Sequence, residues 1–89
     1  MKAVISVTGK DNVGIIAGVS TYCADKGANI IDITQTVLQE YFAMIMLVDL
    51  SDCPLPFHEL SDLLKNKGAE RSLDIHIQRQ DIFEAMHRI

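Results

Sequence analysis

The chain is poor in the features that mark most specialised proteins. It has only two cysteines, Cys23 and Cys53, thirty residues apart and in no CxxC pair, so neither a zinc ribbon nor a thioredoxin-like motif is present. Cys23 falls in a helical pattern and is expected to be a small buried residue. Cys53 falls in a turn, with no cationic cluster beside it to activate the thiol. No apolar run approaches the roughly 18 residues of a membrane-spanning helix. The start, Met1-Lys2-Ala3-Val4-Ile5-Ser6, has no long apolar stretch before Gly9-Lys10-Asp11 and does not read as a secretory leader. The expected location is the cytoplasm. Eight Lys and Arg are scattered among twelve Asp and Glu, for a net charge of -4. A basic stripe that would displace counterions from phosphates is missing, so no nucleic-acid partner and no membrane partner is expected.

Catalytic signatures are missing too. His58, His76 and His87 share no i, i+4 spacing and are expected to be solvated rather than metal-bound. A Walker loop and a nucleophile elbow are absent. Asp32 and Asp49 fall on neighbouring strands and could approach each other across a hairpin, but without a visible pocket they read as rim residues. No catalytic residue, metal or cofactor is assigned.

What the chain does contain is a regular succession of apolar patterns. Lys2 to Thr8 alternates, with Ala3, Ile5 and Val7 on one face, and reads as a strand. A helix is expected from about Val13 to Lys26, with Asp11 or Asn12 as its cap and Gly27 as the left-handed residue that ends it. Asn29 to Leu38 and Tyr41 to Leu50 read as strands joined by Gln39-Glu40, a hairpin without the favoured Asn-Gly turn. In the first of these, Ile30, Asp32, Thr34, Thr36 and Leu38 are expected to share a face. Pro54 and Pro56 mark a loop. A second helix is expected from about Pro56 to Lys67, stopped by Gly68, with Phe57, Leu60, Leu63 and Leu64 as its apolar stripe. Arg71 to Gln78 alternates as a fourth strand, and residues 81 to 89 carry a short amphipathic helical spacing.

The order β, α, β, β, α, β predicts an α+β fold: a ferredoxin-like sandwich of four antiparallel strands with two helices on one face, plus a short C-terminal helix. The expected division is a domain over 1–80 and a tail over 81–89. A domain of 89 residues buries only about 60% of its unfolded surface and has a thin stability margin. The Tyr41–Leu50 strand is apolar on both sides: Phe42, Met44, Met46 and Val48 on one, Ala43, Ile45 and Leu47 on the other. Its outer side needs the tail helix, a second copy, or both to cover it.

The segment Gly9-Lys10-Asp11-Asn12-Val13-Gly14-Ile15 joins the first strand to the first helix. Free N–H groups at the helix start can hold a carboxylate, although Asp11 is equally a plain cap and Gly14 a close-packing residue. Asn29 is expected next to that loop, as a ligand contact or simply as a residue that tolerates the turn after Gly27-Ala28.

The pattern Gly9-x-Asp11-x-x-Gly14-Ile15 entering a helix, then Gly27-x-Asn29-Ile30-x-Asp32 entering a strand, closely resembles the ACT domain. The likeness continues through Glu40-Tyr41-Phe42-Ala43-Met44 and covers nearly the whole chain. It implies a non-catalytic regulatory module that binds a small effector, an amino acid in the first instance, and that forms a homodimer, often side by side as an eight-stranded sheet with ligands at the interface. Carried over by resemblance, the ligand-binding residues are Asp11, Asn12, Val13, Gly14, Ile15, Asn29 and Ile30. Most of the family carries a catalytic or DNA-binding domain for the ligand to control. None is expected here, so a signal would pass to a separate partner protein, or the domain would serve as a ligand-free dimerising adaptor. Acylphosphatases share the plan but hold phosphate in this loop with an arginine. Here the loop offers Lys10 and Asp11, which argues against that chemistry.

Overall fold

The computed structural model describes residues 1–10 and 14–86. Its elements are β1 (Lys2–Lys10), α1 (Ile15–Asp25), β2 (Asn29–Leu38), β3 (Tyr41–Asp49), α2 (Phe57–Glu70), β4 (Leu73–Arg79) and α3 (Gln80–Met86). The strands form one antiparallel sheet in the order β2-β3-β1-β4. This is the expected ferredoxin-like sandwich.

The alternation of each strand decides which side meets the helices. Ala3, Ile5 and Val7 of β1 pair with Val48, Met46 and Met44 of β3 and with Arg79, Ile77 and Ile75 of β4. Their side chains join Ile15, Val19 and Cys23 of α1 and Leu60 and Leu64 of α2 in one core. α2 packs against β4, and α1 lies beside β2.

α1 ends in a Schellman motif. Gly27 N–H donates to the Ala24 carbonyl at 3.0 Å and Ala28 N–H to the Cys23 carbonyl at 2.9 Å. Gly27 takes φ 83° to close it.

Four expectations need correction. α1 begins at Ile15, with Gly14 as its cap residue and no side-chain capping bond. Asp11 and Asn12, expected as caps, lie outside the described residues, as do residues 87–89, including His87. Gly68 does not stop α2, which continues to Glu70. A Cβ at Gly68 would lie 2.8 Å from both Ile75 Cγ1 and the Leu73 carbonyl, so glycine lets the helix approach β4 closely. The fourth strand begins at Leu73 rather than Arg71, which instead caps the C-terminus of α2. Finally, a bulge at Ile31 shifts the β2–β3 register, so that Ile30 opposes Val48 while Asp32 opposes Leu47. Ile30 therefore faces the helices, and Asp32, Thr34, Thr36 and Leu38 face away from them.

α3 touches β1 and β4. Val4, which points away from α1 and α2, is nearly buried. On the β2–β3 half of that same face, Leu38 is 71% exposed, Tyr41 55% and Ile45 47%. The tail helix thus covers the outer face only around Val4, leaving the β2–β3 half bare and Thr8, Asp74 and His76 exposed on the other half.

Cys23 is buried on α1, and burial pushes its thiol from 9.0 up to about 11. Between those pH values the unfolded chain has released a proton that the folded chain still holds. Stability is therefore intact below about pH 9 and falls as pH rises toward 11, by about 2–3 kcal/mol in total. Urea midpoints at pH 8 and pH 11 should show this drop, and it should be absent in Cys23→Ala. At neutral pH an alkylating reagent should label the half-buried Cys53 and leave Cys23 untouched.

Candidate functional site

The β1–α1 junction lies at the hairpin end of the sheet. The register aligns Gly9 with Phe42 and Phe42 with Val37. Beside it, Gly14, Ile15, Ile16, Ala17, Gln35, Val37 and Phe42 line a cleft of about 210 Å³. This is smaller than the roughly 300–1,000 Å³ pockets that take drug-sized ligands, and it suits a small metabolite.

Three features give the cleft its chemistry. Gly14 adopts φ 82°, a left-handed conformation that turns the chain abruptly into α1. The first helical bond runs from Gly18 N–H to the Gly14 carbonyl at 2.8 Å. The N–H groups of Ile15, Ile16 and Ala17 accordingly have no acceptor within the helix, and they carry the positive end of its dipole. One wall is apolar: Phe42 is buried and Val37 is 52% exposed. Gln35 adds an amide on the same side of β2. The arrangement suits a ligand with one anionic end and a short apolar part.

Arg71 reaches this region from the far end of α2. Its Nη1 lies 3.5 Å from the Gly14 carbonyl, a long contact that ties the α2–β4 turn to the start of α1.

The sequence-derived site is only partly assembled in one chain. Gly14 and Ile15 lie at the cleft. Asp11, Asn12 and Val13 lie outside the described residues. Asn29 and Ile30 are not beside the loop: Asn29 opposes Asp49, which in turn neighbours Lys2. Eight residue steps along β2 separate Asn29 from Val37, a span of about 26 Å. The expectation of adjacency is not met within a chain, because α1 carries the backbone back along the whole sheet before β2 begins.

Gln35, Val37, Phe42 and Arg71 were not assigned from sequence. Gln35 carried a usable signal, being polar between Ile33 and Val37 on a helix-facing stripe. Arg71 carried none, since its contact spans 57 residues.

Asp32 and Asp49 do not form a carboxylate pair, because Asp32 opposes Leu47. Asp49 instead accepts from Ser51 Oγ at 2.6 Å and Ser51 N–H at 2.9 Å, bonds that hold its carboxyl below the usual range. Among the described residues, no cluster of His, Cys, Asp and Glu could hold a metal ion, and no helix is long and apolar enough to cross a membrane.

A four-stranded sheet backed by two helices, with a glycine turn feeding a ligand-sized cleft at the start of α1, defines a regulatory domain of the ACT type. The ACT domain profile matches residues 2–78, and the chain belongs to that family. It is 51% identical over 89 residues to a UPF0237 protein of Clostridium acetobutylicum, covering both chains fully. An ACT domain protein from Streptococcus pneumoniae superposes with a TM-score of 0.84 at 48% identity, with 98% of each chain covered. A structure described as a glycine cleavage system transcriptional repressor superposes with a TM-score of 0.74 at 25% identity, over 89% of this chain and 45% of that one. The likeness to the repressor thus concerns about half of that protein, whereas the UPF0237 relative is matched from end to end.

Proposed function

We propose that the protein is a non-catalytic sensor of a small molecule, an amino acid in the first instance, acting as a cytoplasmic homodimer whose two sites are each completed by the partner. The carrying observation is the separation of Asn29 from Gly14. Antiparallel pairing of two β2 strands about a two-fold axis near Ile33 brings Asn29 of the partner subunit to the end that holds Val37 and the cleft. The carried-over residues that the structure describes, Gly14 and Ile15 with the partner's Asn29 and Ile30, then meet at two equivalent sites.

β2 is suited to such pairing. It is an edge strand of ten residues with no Lys or Pro and a single charge, Asp32. Natural edges of this length are normally blunted or covered. Exposed Ile16 and Val37 flank it on the helix side and Leu38 on the other. The opposite edge, β4, is shorter and carries Asp74, His76 and Arg79. Within the proposed site, the first-turn N–H groups of α1 and Gln35 receive the ligand carboxylate, and the partner's Asn29 takes its amino group.

Melting temperature measured with each of the twenty amino acids at millimolar concentration tests this reading. A ligand at 100 times its Kd stabilises by about 2.7 kcal/mol, which raises the midpoint of a domain this size by roughly 10 °C or more. One or two amino acids should do so, and Asp11→Ala or Asn29→Ala should abolish the rise. A flat response with all twenty would favour a ligand-free interaction module. The bare apolar strip of Leu38, Tyr41 and Ile45 on the outer face supports that second reading.

A further inference from the structure

A second concavity lies on the helical face, away from the cleft. The groove between α1 and α2 is open to solvent, has a volume of about 610 Å³ and is lined by Ala17, Gly18, Thr21, Tyr22, Asp25, Lys67 and Arg71. Two of the chain's eight Lys and Arg residues line it, and a third, Lys26, reaches the Tyr22 ring beside it. Lys26 Nζ and Lys67 Nζ sit 5.3 and 5.5 Å from the centre of the Tyr22 ring, which holds two ammonium groups near one aromatic side chain. Arg71, one helical turn beyond Lys67, lies across Gly18. A Cβ at Gly18 would collide with Arg71 Nη1, so the missing side chain makes room for the guanidinium on the surface of α1.

Acidic groups lie nearby as well. Asp25 lines the groove, and Glu70 pairs with Lys67 at 3.5 Å while remaining 67% exposed. An ion pair this open contributes little and exchanges readily. In a chain of net charge -4, this concentration of cations over an aromatic floor forms a local site for an anion. The planar fork of Arg71 matches a two-oxygen acceptor, and the two ammonium groups are point charges for a second negative oxygen.

We propose that the α1–α2 groove binds a small oxyanionic ligand of at least two negative charges, a phosphate or a dicarboxylate, at a place separate from the cleft at Gly14. Arg71 borders both places, so an anion held in the groove competes for the guanidinium that contacts the Gly14 carbonyl.

Amide NMR spectra of the intact protein, titrated separately with inorganic phosphate, succinate and sodium chloride at matched ionic strength, test the proposal. Phosphate or succinate should give saturable shifts at Gly18, Thr21 and Lys67, and the stronger of the two identifies the class. Lys26→Ala/Lys67→Ala should weaken binding at least tenfold. Gly18→Ala should weaken it as well while keeping the fold, because alanine favours the helix and the clash is with the end of a flexible side chain. Equal shifts with chloride, shifts that never saturate, or unchanged binding in the double variant would overturn the proposal. None of these outcomes depends on whether an amino acid binds at Gly14.

Discussion

Replacing Gly27 by alanine should destabilise the protein by about 3 kcal/mol. Two costs combine. At φ 83° an L-residue loses about 1–2 kcal/mol relative to glycine. In addition, the new Cβ would lie 2.7 Å from the Asp52 carbonyl oxygen and 3.1 Å from Cys53 Cα. Both are backbone atoms, and Leu50 at the base of that loop is in the core, so relief requires moving the whole segment. Overpacking of this kind costs about 1–3 kcal/mol. A domain of this size has only about 5–10 kcal/mol in total, so the melting temperature should drop by roughly 12–24 °C. Gly14→Ala is the internal control. Its φ of 82° is nearly the same, but among the described residues the nearest atom to its Cβ is Arg71 Nη2 at 3.7 Å. It should lose only about 1–2 kcal/mol. Urea midpoints at constant m measure both variants. Equal losses would mean that the contact with the Asp52–Cys53 loop is relieved cheaply.

The contrast between these two glycines also shows what a sequence can reveal. Gly27 follows an apolar helical stripe and precedes a β-branched strand, so its role as a helix terminator is local and legible. The bounds of β2 and the buried faces of β1 and β3 were legible for the same reason, since alternation is a nearest-neighbour property. Gly68 was misread because it also follows an apolar helical stripe. Only the approach of Ile75 and Leu73 to the helix explains its lack of a side chain, and that approach is set by tertiary packing. The bulge at Ile31 was hidden because the run Ile30-Ile31-Asp32-Ile33 is apolar at three of four positions and supports either register. The candidate site was half legible. The loop and the start of α1 were marked by Gly14, yet the distance from Asn29 to that loop depends on how far α1 travels along the sheet, which no local pattern encodes.

That distance makes the dimer the decisive issue, and Val37→Asp should decide it. Val37 is exposed on the edge strand, so a charge there should change the stability of an isolated chain by no more than about 0.5 kcal/mol. In a dimer paired through β2, the same aspartate would be taken from water at both ends of the two-fold seam without a cationic partner on that strand. Burying an unpaired charge in an interface costs about 2–5 kcal/mol, so the dimer Kd should rise by at least about 30-fold. Sedimentation of the wild type across roughly 1–100 µM should show a dimer, and the variant should sediment as a folded monomer whose urea midpoint falls only by the stabilisation that dimerisation supplied. Ile45→Asp, on the bare half of the outer face, separates this seam from the alternative. If Ile45→Asp splits the dimer and Val37→Asp does not, the copies stack through their outer faces. In that case Asn29 of the partner never reaches the cleft, and each chain must bind its ligand with Gly14, Ile15 and the loop before them alone. If Val37→Asp alone produces monomers, the copies pair through β2, and amino-acid stabilisation should vanish because the partner's Asn29 and Ile30 are lost together with the Val37 part of the cleft wall.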